Sequence, residues 1–316
     1  MLKNRRKLSF TLTGRSATLT RSRLRSDRFE LSVDGIAQSI VSLADPTKLA
    51  YPYTRHIARA IDAAAPSGSR LRFVHLGAGA LTLARYVEAT RAGSPQLVVE
   101  FEPELYVEML EALPLPQGND VRVIFGDARD VADTALPDSS LRSLQEAAVA
   151  TASPGASRGG APAAVVRTAV AAEWAEAQFT IVDLWDAAVI HRRVASREFF
   201  ARVAGRSAAD GIVVVNLLDG HPFEYARRQA ATLATVFAQV AVVLDADPND
   251  ADGPLGNVLI FASDAPLDIV AHPDVLGVPG PNLLHDTELA SWIGAARVMT
   301  DSDGTDSPDP NDPRWG

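Results

Sequence analysis

The sequence predicts an α/β chain organised on a mostly parallel, seven-stranded sheet, with a small β-hairpin domain in front of it. Three observations carry this. From residue 71 onward, short apolar runs alternate with helical patterns, as βαβ units and a parallel sheet require. The first of these runs breaks on Gly77-Ala78-Gly79 and continues as a helical pattern, which reads as strand, tight turn, helix. Ahead of it, residues 28–43 alternate apolar and polar positions around Asp34-Gly35, a strong hairpin signal.

Composition sets the outer limits. A chain of 316 residues, 47% hydrophobic, can bury a large core. The absence of cysteine excludes disulfides and thiol chemistry and fits a reducing compartment, so a cytoplasmic protein is expected. No run approaches the ~18 apolar residues of a membrane span, and the basic start lacks the apolar segment of a secretion signal. Net charge is −9, yet residues 1–28 carry nine Lys or Arg against one acid, Asp27. Residues 1–27 therefore read as a basic, disordered arm. It has no aromatic beyond Phe10 and the acidic body offers no matching basic face, which argues against nucleic acid.

The elements follow in order. Residues 28–66 form the hairpin domain and a connecting helix over 49–64, where Tyr53, Ile57, Ala60 and Ile61 recur with helical spacing before Pro66-Ser67-Gly68. Residues 67–300 form the Rossmann-type domain, with strands at 71–76, 96–101, 121–125, 179–184, 211–217, 240–246 and 258–262. Helices fall at 80–90, 103–112, 197–208 and 222–237. The last two strands are joined by a Gly/Asp/Pro loop without a helix, which predicts a reversed strand pairing inside the sheet. Residues 138–178, with the low-complexity stretch 151–162, read as an insertion, and 301–316, with five Asp and three Pro, as a disordered acidic tail.

In such a sheet, ligands bind beyond the carboxyl ends of the strands. Those ends carry Gly77 and Gly79, then Glu100 with Glu102, then Gly126-Asp127-Ala128, then Asp183 and Asp186, then Asn216 and Asp219. Glu100 lies 21 residues past Gly79, the spacing at which a carboxylate accepts from two ribose hydroxyls. Asp127 is placed for an adenine amino group. Together these acids suit an S-adenosylmethionine-type ligand better than a dinucleotide. The six His show no metal-ligand spacing, and His75 reads as a packed strand residue. No nucleophile elbow or P-loop occurs.

Asp34-Gly-Ile-Ala-Gln38-Ser39, His75-Leu-Gly-Ala-Gly-Ala-Leu-Thr-Leu83, Val98-Val-Glu-Phe-Glu-Pro103, Phe125-Gly-Asp-Ala128 and Val182-Asp-Leu-Trp-Asp186 together resemble the spermidine synthase (polyamine aminopropyltransferase) family, especially its actinobacterial spermidine synthase-like branch. The resemblance covers roughly residues 28–265. It implies a class I methyltransferase-like Rossmann fold that takes decarboxylated S-adenosylmethionine as co-substrate, without a metal, and transfers its aminopropyl group to an amine acceptor. On this resemblance Gln38, Gly77, Gly79, Glu100, Asp127 and Ala128 bind the nucleoside, Asp183 is the catalytic acid and Asp186 its partner. It also implies a role in polyamine biosynthesis and a homodimer.

The acceptor side departs from the family pattern. Ala80 and Leu81 stand where an acid is expected after the glycines, Tyr51-Pro-Tyr-Thr-Arg-His56 lacks the usual acid, and Ala187-Ala-Val-Ile-His-Arg-Arg193 follows Asp186. Arg55 has the wrong sign for a polyamine, while Arg192 and Arg193 read as solvated. A diamine needs spaced carboxylates, because its charges must be desolvated together. Two other readings therefore stand beside aminopropyl transfer: methyl transfer from S-adenosylmethionine to a non-polyamine acceptor, and an inactive nucleoside-binding homologue.

Overall fold

Two sheets make the fold. The computed structural model describes residues 7–12, 14–22, 27–134, 173–186, 189–250, 253 and 255–309. Strands β1 (Lys7–Leu12), β2 (Arg15–Arg21), β3 (Arg28–Val33) and β4 (Ile36–Ser42) form an antiparallel meander. Asp34 and Gly35, at φ 49° and 84°, supply the positive dihedrals that a two-residue hairpin turn demands.

Residues 7–21 are thus a second hairpin rather than a disordered arm. Leu12, Ala17 and Leu19 alternate onto one face and are buried with Leu31, Val33 and Val41. The density of Arg hid a period-two pattern, because basic side chains occupy the strand ends and the open face. Arg21, for example, lies over the Phe29 ring, 4.9 Å from its centroid. Residues 1–6, 13 and 23–26 of the expected arm lie outside the described residues.

The second sheet comprises β5 (Phe73–Leu76), β6 (Gln96–Glu100), β7 (Val121–Phe125), β8 (Ala177–Val182), β9 (Ser207–Asp219), β10 (Gln239–Leu244), β11 (Gly256–Ser263) and β12 (Asn282–His285). Across the sheet they run β7-β6-β5-β8-β9-β11-β10-β12. The pairings from β7 through β9 are parallel, and β11 enters antiparallel between β9 and β10, the reversed hairpin expected from the sequence. This is the class I methyltransferase-like Rossmann arrangement. The sheet has eight strands among the described residues, not seven: β12 is four residues long, too short for an alternation signal, and pairs with β10 at the edge.

Strand alternation divides the core. Val213, Val215 and Leu217 of β9 face one side, where they meet Phe199 and Phe200 of α5 (Arg197–Ala204), Tyr225 and Ala226 of α6 (Glu224–Leu233) and Trp292 of α8 (Asp286–Ile293). Val214 faces the other side, with Ile57 and Ile61 of α1 (Pro52–Ala63), Leu83 and Val87 of α2 (Thr82–Thr90) and Ile269 of α7 (Asp268–Ala271). Covering both faces is what leaves parallel strands almost wholly apolar. The meander packs separately, on Leu105, Met109 and Leu113 in and after α3 (Pro103–Ala112).

Two boundaries shift. Residues 135–172, which hold most of the expected 138–178 insertion, lie outside the described residues, but Trp174 is fully buried and Ala177 opens β8. Arg206 clasps this junction, its guanidinium 5.2 Å from the Trp174 ring centroid and bonded to the Trp174 carbonyl at 3.1 Å. Residues 301–309 of the expected tail dock on the domain, because Asp301 takes a bidentate ion pair from Arg129 at 2.7 and 2.8 Å; residues 310–316 lie outside the described residues. Among the described residues, no helix is long and apolar enough to cross a membrane.

The chain runs β5 to β6 to β7 outward on one side and returns to β8 on the other side of β5. That reversal opens a crevice beyond the carboxyl ends of β5 and β8. The meander lies across it.

Candidate active site

A cavity of about 380 Å³ occupies this crevice. Its floor is the ends of β5, β6, β8 and β9, and its roof includes Leu31, Val33 and Gln38 of the meander. Every site residue expected from the sequence lines it: Gln38, Gly77, Gly79, Glu100, Asp127, Ala128, Asp183 and Asp186.

The glycine turn is shaped by contact. At Gly79, φ is +49° and an added Cβ would lie 2.8 Å from the Ser39 hydroxyl oxygen, so the meander approaches the turn closely. The same hydroxyl accepts from the Ala80 N–H at 3.3 Å. Leu81 takes a left-handed φ of 59°, which delays α2 to Thr82, two residues past its expected start.

Glu100 is the last residue of β6 and is 4% exposed. Its Oε2 accepts from the Ala78 N–H and its Oε1 from the Glu102 N–H, both at 2.8 Å. Burial nevertheless pushes its pKa up, against the opposing effect of those amides. Each carboxylate oxygen has a second lone pair, so the group is anchored and still able to accept.

Asp127 caps α4 (Ala128–Ala132): Oδ1 accepts from the N–H of Arg129 at 2.7 Å and of Asp130 at 3.2 Å. Its Oδ2 is 3.3 Å from the Arg193 guanidinium, which also reaches Asp130 at 2.7 Å. Ala128 is buried in the main core, where a larger side chain would displace its neighbours.

Asp183 follows β8 and is half-buried. The Trp185 indole N–H donates to its Oδ1 at 2.7 Å and the Asn216 amide to the same oxygen at 2.8 Å. The Asn216 carbonyl in turn accepts from Asn257 at 3.0 Å, a chain of amides that fixes the orientation of each. Desolvation raises the Asp183 pKa, and the two bonds resist that rise. Tyr53 of α1 also lines the cavity, and its own burial, followed by the charge of Asp183, holds its phenol well above the ordinary range.

Asp186 is half-exposed and surrounded by cations. Arg15 Nη1 lies 2.8 Å from Oδ1, and His191 Nε2 lies 3.0 Å from Oδ2. The hydrogen bond to Asp186 raises the His191 pKa. Arg15 also reaches Glu102 Oε1 at 2.9 Å and sits over the Phe101 ring, 5.5 Å from its centroid.

The cations flagged in the sequence separate. Arg55 donates to the Ala50 carbonyl at 2.6 Å and does not line the cavity; Arg192 is held through its N–H on Asp306; Arg193 alone of the three reaches the cavity. His75 is a packed strand residue, bonded to Gln96 at 2.9 Å, with burial lowering its pKa to about 4. Arg15, Trp185 and Asn257 had no part in the expected site, and Glu102 was noted at its strand end without a role. Arg15 carried a usable signal, since it follows Thr13-Gly14 between two alternating segments, the mark of a hairpin whose tip could reach the crevice.

No family model matches the chain, and no curated protein matches its sequence. Solved structures do match. A probable spermidine synthase from Corynebacterium glutamicum superposes with a TM-score of 0.72 at 23% identity, covering 93% of this chain and 96% of that one. The chain has the spermidine synthase fold. A Thermotoga maritima spermidine synthase gives 0.54 at 12% identity, and a spermidine synthase in complex with the transition state analogue AdoDATO gives 0.53 at 11%. Each covers 94% of this chain and 81% of the other. At such identities the likeness speaks for the fold, meander included, and the chemistry rests on the cavity's own residues.

Proposed function

We propose that this protein transfers an aminopropyl group from decarboxylated S-adenosylmethionine to an amine acceptor. The observation that carries this reading is the pairing, across one cavity, of two carboxylates in different settings: the buried Glu100, held by backbone amides, and the half-buried Asp183, held by an indole and an amide. The residues fit the nucleoside. Glu100 retains lone pairs for a ribose diol, and the volume is within the ~300–1,000 Å³ of small-molecule sites. The AdoDATO bound to one spermidine synthase of the same fold points to the same ligand class.

The bound donor supplies a sulfonium whose adjacent methylene accepts a nucleophile and whose sulfur leaves as a neutral thioether. Nitrogen must attack as the neutral amine, whereas alkylamines are protonated near neutral pH. Asp183 is the base that removes this proton. Both of its hydrogen bonds end on Oδ1, which leaves Oδ2 for the amine. Its raised pKa brings it nearer to that of its proton donor. The N–C bond forms as the C–S bond breaks, the C–S electron pair goes to sulfur, and the proton goes to Asp183. Holding nitrogen and methylene in line supplies much of the rate.

Incubation with decarboxylated or intact S-adenosylmethionine and a panel of amines tests this. Methylthioadenosine as product supports aminopropyl transfer; S-adenosylhomocysteine would replace it with methyl transfer. Nucleoside binding that survives in Glu100→Ala and Asp127→Ala would refute the site assignment.

A further inference from the structure

Five carboxylates line the cavity: Glu100, Glu102, Asp127, Asp183 and Asp186. Asp127 faces Arg193, and Glu102 and Asp186 share Arg15. Glu100 is held by backbone amides beside the glycine turn, and the recorded partners of Asp183 are the neutral Trp185 and Asn216. Among the described residues, then, Asp183 is the lining carboxylate held by neither a cation nor a backbone amide, and it offers the acceptor a single anionic contact.

We propose that Arg15 is a specificity-determining residue: its guanidinium fills the position of a second ammonium, so the acceptor is a monoamine and not a diamine. This rests on the reading of the site as an amine-alkylating one. Arg15 comes from the tip of the β1–β2 hairpin, and only 16% of its side chain is exposed. One Nη holds Asp186 and the other Glu102, so one planar cation bridges two acids as a bound diamine terminus would. Phe101 beneath it adds a cation–π contact. Glu102 is buried, and its Oε2 has no hydrogen-bond partner. Without Arg15 that carboxylate would be a buried, uncompensated charge, a strong attractor for any cation that can reach it. The arginine therefore blocks the subsite sterically and cancels its charge.

The test is calorimetric titration of butylamine and 1,4-diaminobutane, with and without methylthioadenosine. The wild type should bind the two amines alike. Arg15→Gln should bind the diamine roughly tenfold tighter than the wild type does, with butylamine unchanged. Arg15→Lys should behave as wild type, and Asp186→Asn added to Arg15→Gln should reduce the gain, with Glu102 left to attract the second ammonium. A wild type that prefers the diamine tenfold, or an Arg15→Gln protein that gains equally for both amines or for neither, overturns the proposal. Should Arg15→Gln fail to fold, Asp186→Asn alone must leave the two amines bound alike, because Arg15 already occupies this acid; a diamine weakened more than butylamine would show Asp186 holding the second ammonium and overturns the proposal too. Failure of methylthioadenosine to bind would instead count against the proposed function, while the amine contrast is still read without it.

Discussion

The backbone of Asp183 runs where a side chain at Gly77 would be: a Cβ on Gly77 would lie 2.3 Å from the Asp183 carbonyl oxygen. With φ at +93°, this position also excludes most side chains on backbone grounds alone. The turn and the segment carrying the proposed base are thus braced against each other. Gly77→Ala is expected to destabilise the fold by several kcal/mol, from φ strain and the clash together, and to weaken methylthioadenosine binding by about tenfold or more. Gly79→Ala should be milder, since its obstacle is the Ser39 hydroxyl, which can rotate away. Thermal melts and nucleoside titrations that ranked the two in reverse order would contradict this.

Leu19 is fully buried between the meander and α3. Leu19→Ala should lower stability by about 2–5 kcal/mol, as cavity-forming truncations do. A disordered arm would not register the change. Denaturant melts of the full chain distinguish the two.

How far such features could be read beforehand depended on how local their causes are. Glu100 and Asp183 were legible because strand ends in a parallel sheet are set by the strands themselves, and all seven expected strands occur, one of them at its expected bounds of Val121–Phe125. The β1–β2 hairpin was not, since nine Lys and Arg among residues 1–28 mask the alternation of Leu8, Phe10, Leu12, Ala17 and Leu19. Arg15 meets Glu102 and Asp186 across separations of 87 and 171 residues, and no local pattern encodes such a pair. Of the departures seen in the sequence, Leu81 and Arg193 line the cavity, whereas Arg55 does not.

Arg129 ties the C-terminal segment to α4, beside Asp127, through its bidentate pair with Asp301. The hydrogen bonds from Arg129 lower the Asp301 pKa from 3.8 to about 2. A depressed folded-state pKa contributes stability that is complete above the unfolded value and is lost as pH falls through the folded one. Asp301 is nearly half exposed, so screening reduces the effect to roughly 1 kcal/mol. Asp301→Asn should therefore cost about that much near neutral pH. The difference from wild type in urea midpoints should shrink between about pH 4 and pH 2. A constant difference across that range would show that the ion pair is not its source.

As the proposed base, Asp183 should link pH to turnover. Desolvation raises its pKa, and the bonds from Asn216 and Trp185 favour the ionised form and hold the rise in check. As the base must be ionised to act, kcat should fall on the acid side at a pH above the ordinary aspartate range. Asn216→Ala removes one stabilising donor, so the pKa rises further and the acid limb moves to higher pH. Asn257→Ala should shift it in the same direction but less, because it acts only by orienting Asn216. Asp183→Asn retains a carbonyl oxygen for both donors and should fold normally while kcat drops by about 10²–10⁴. An acid limb that stayed in place in Asn216→Ala would mean that another group takes the proton.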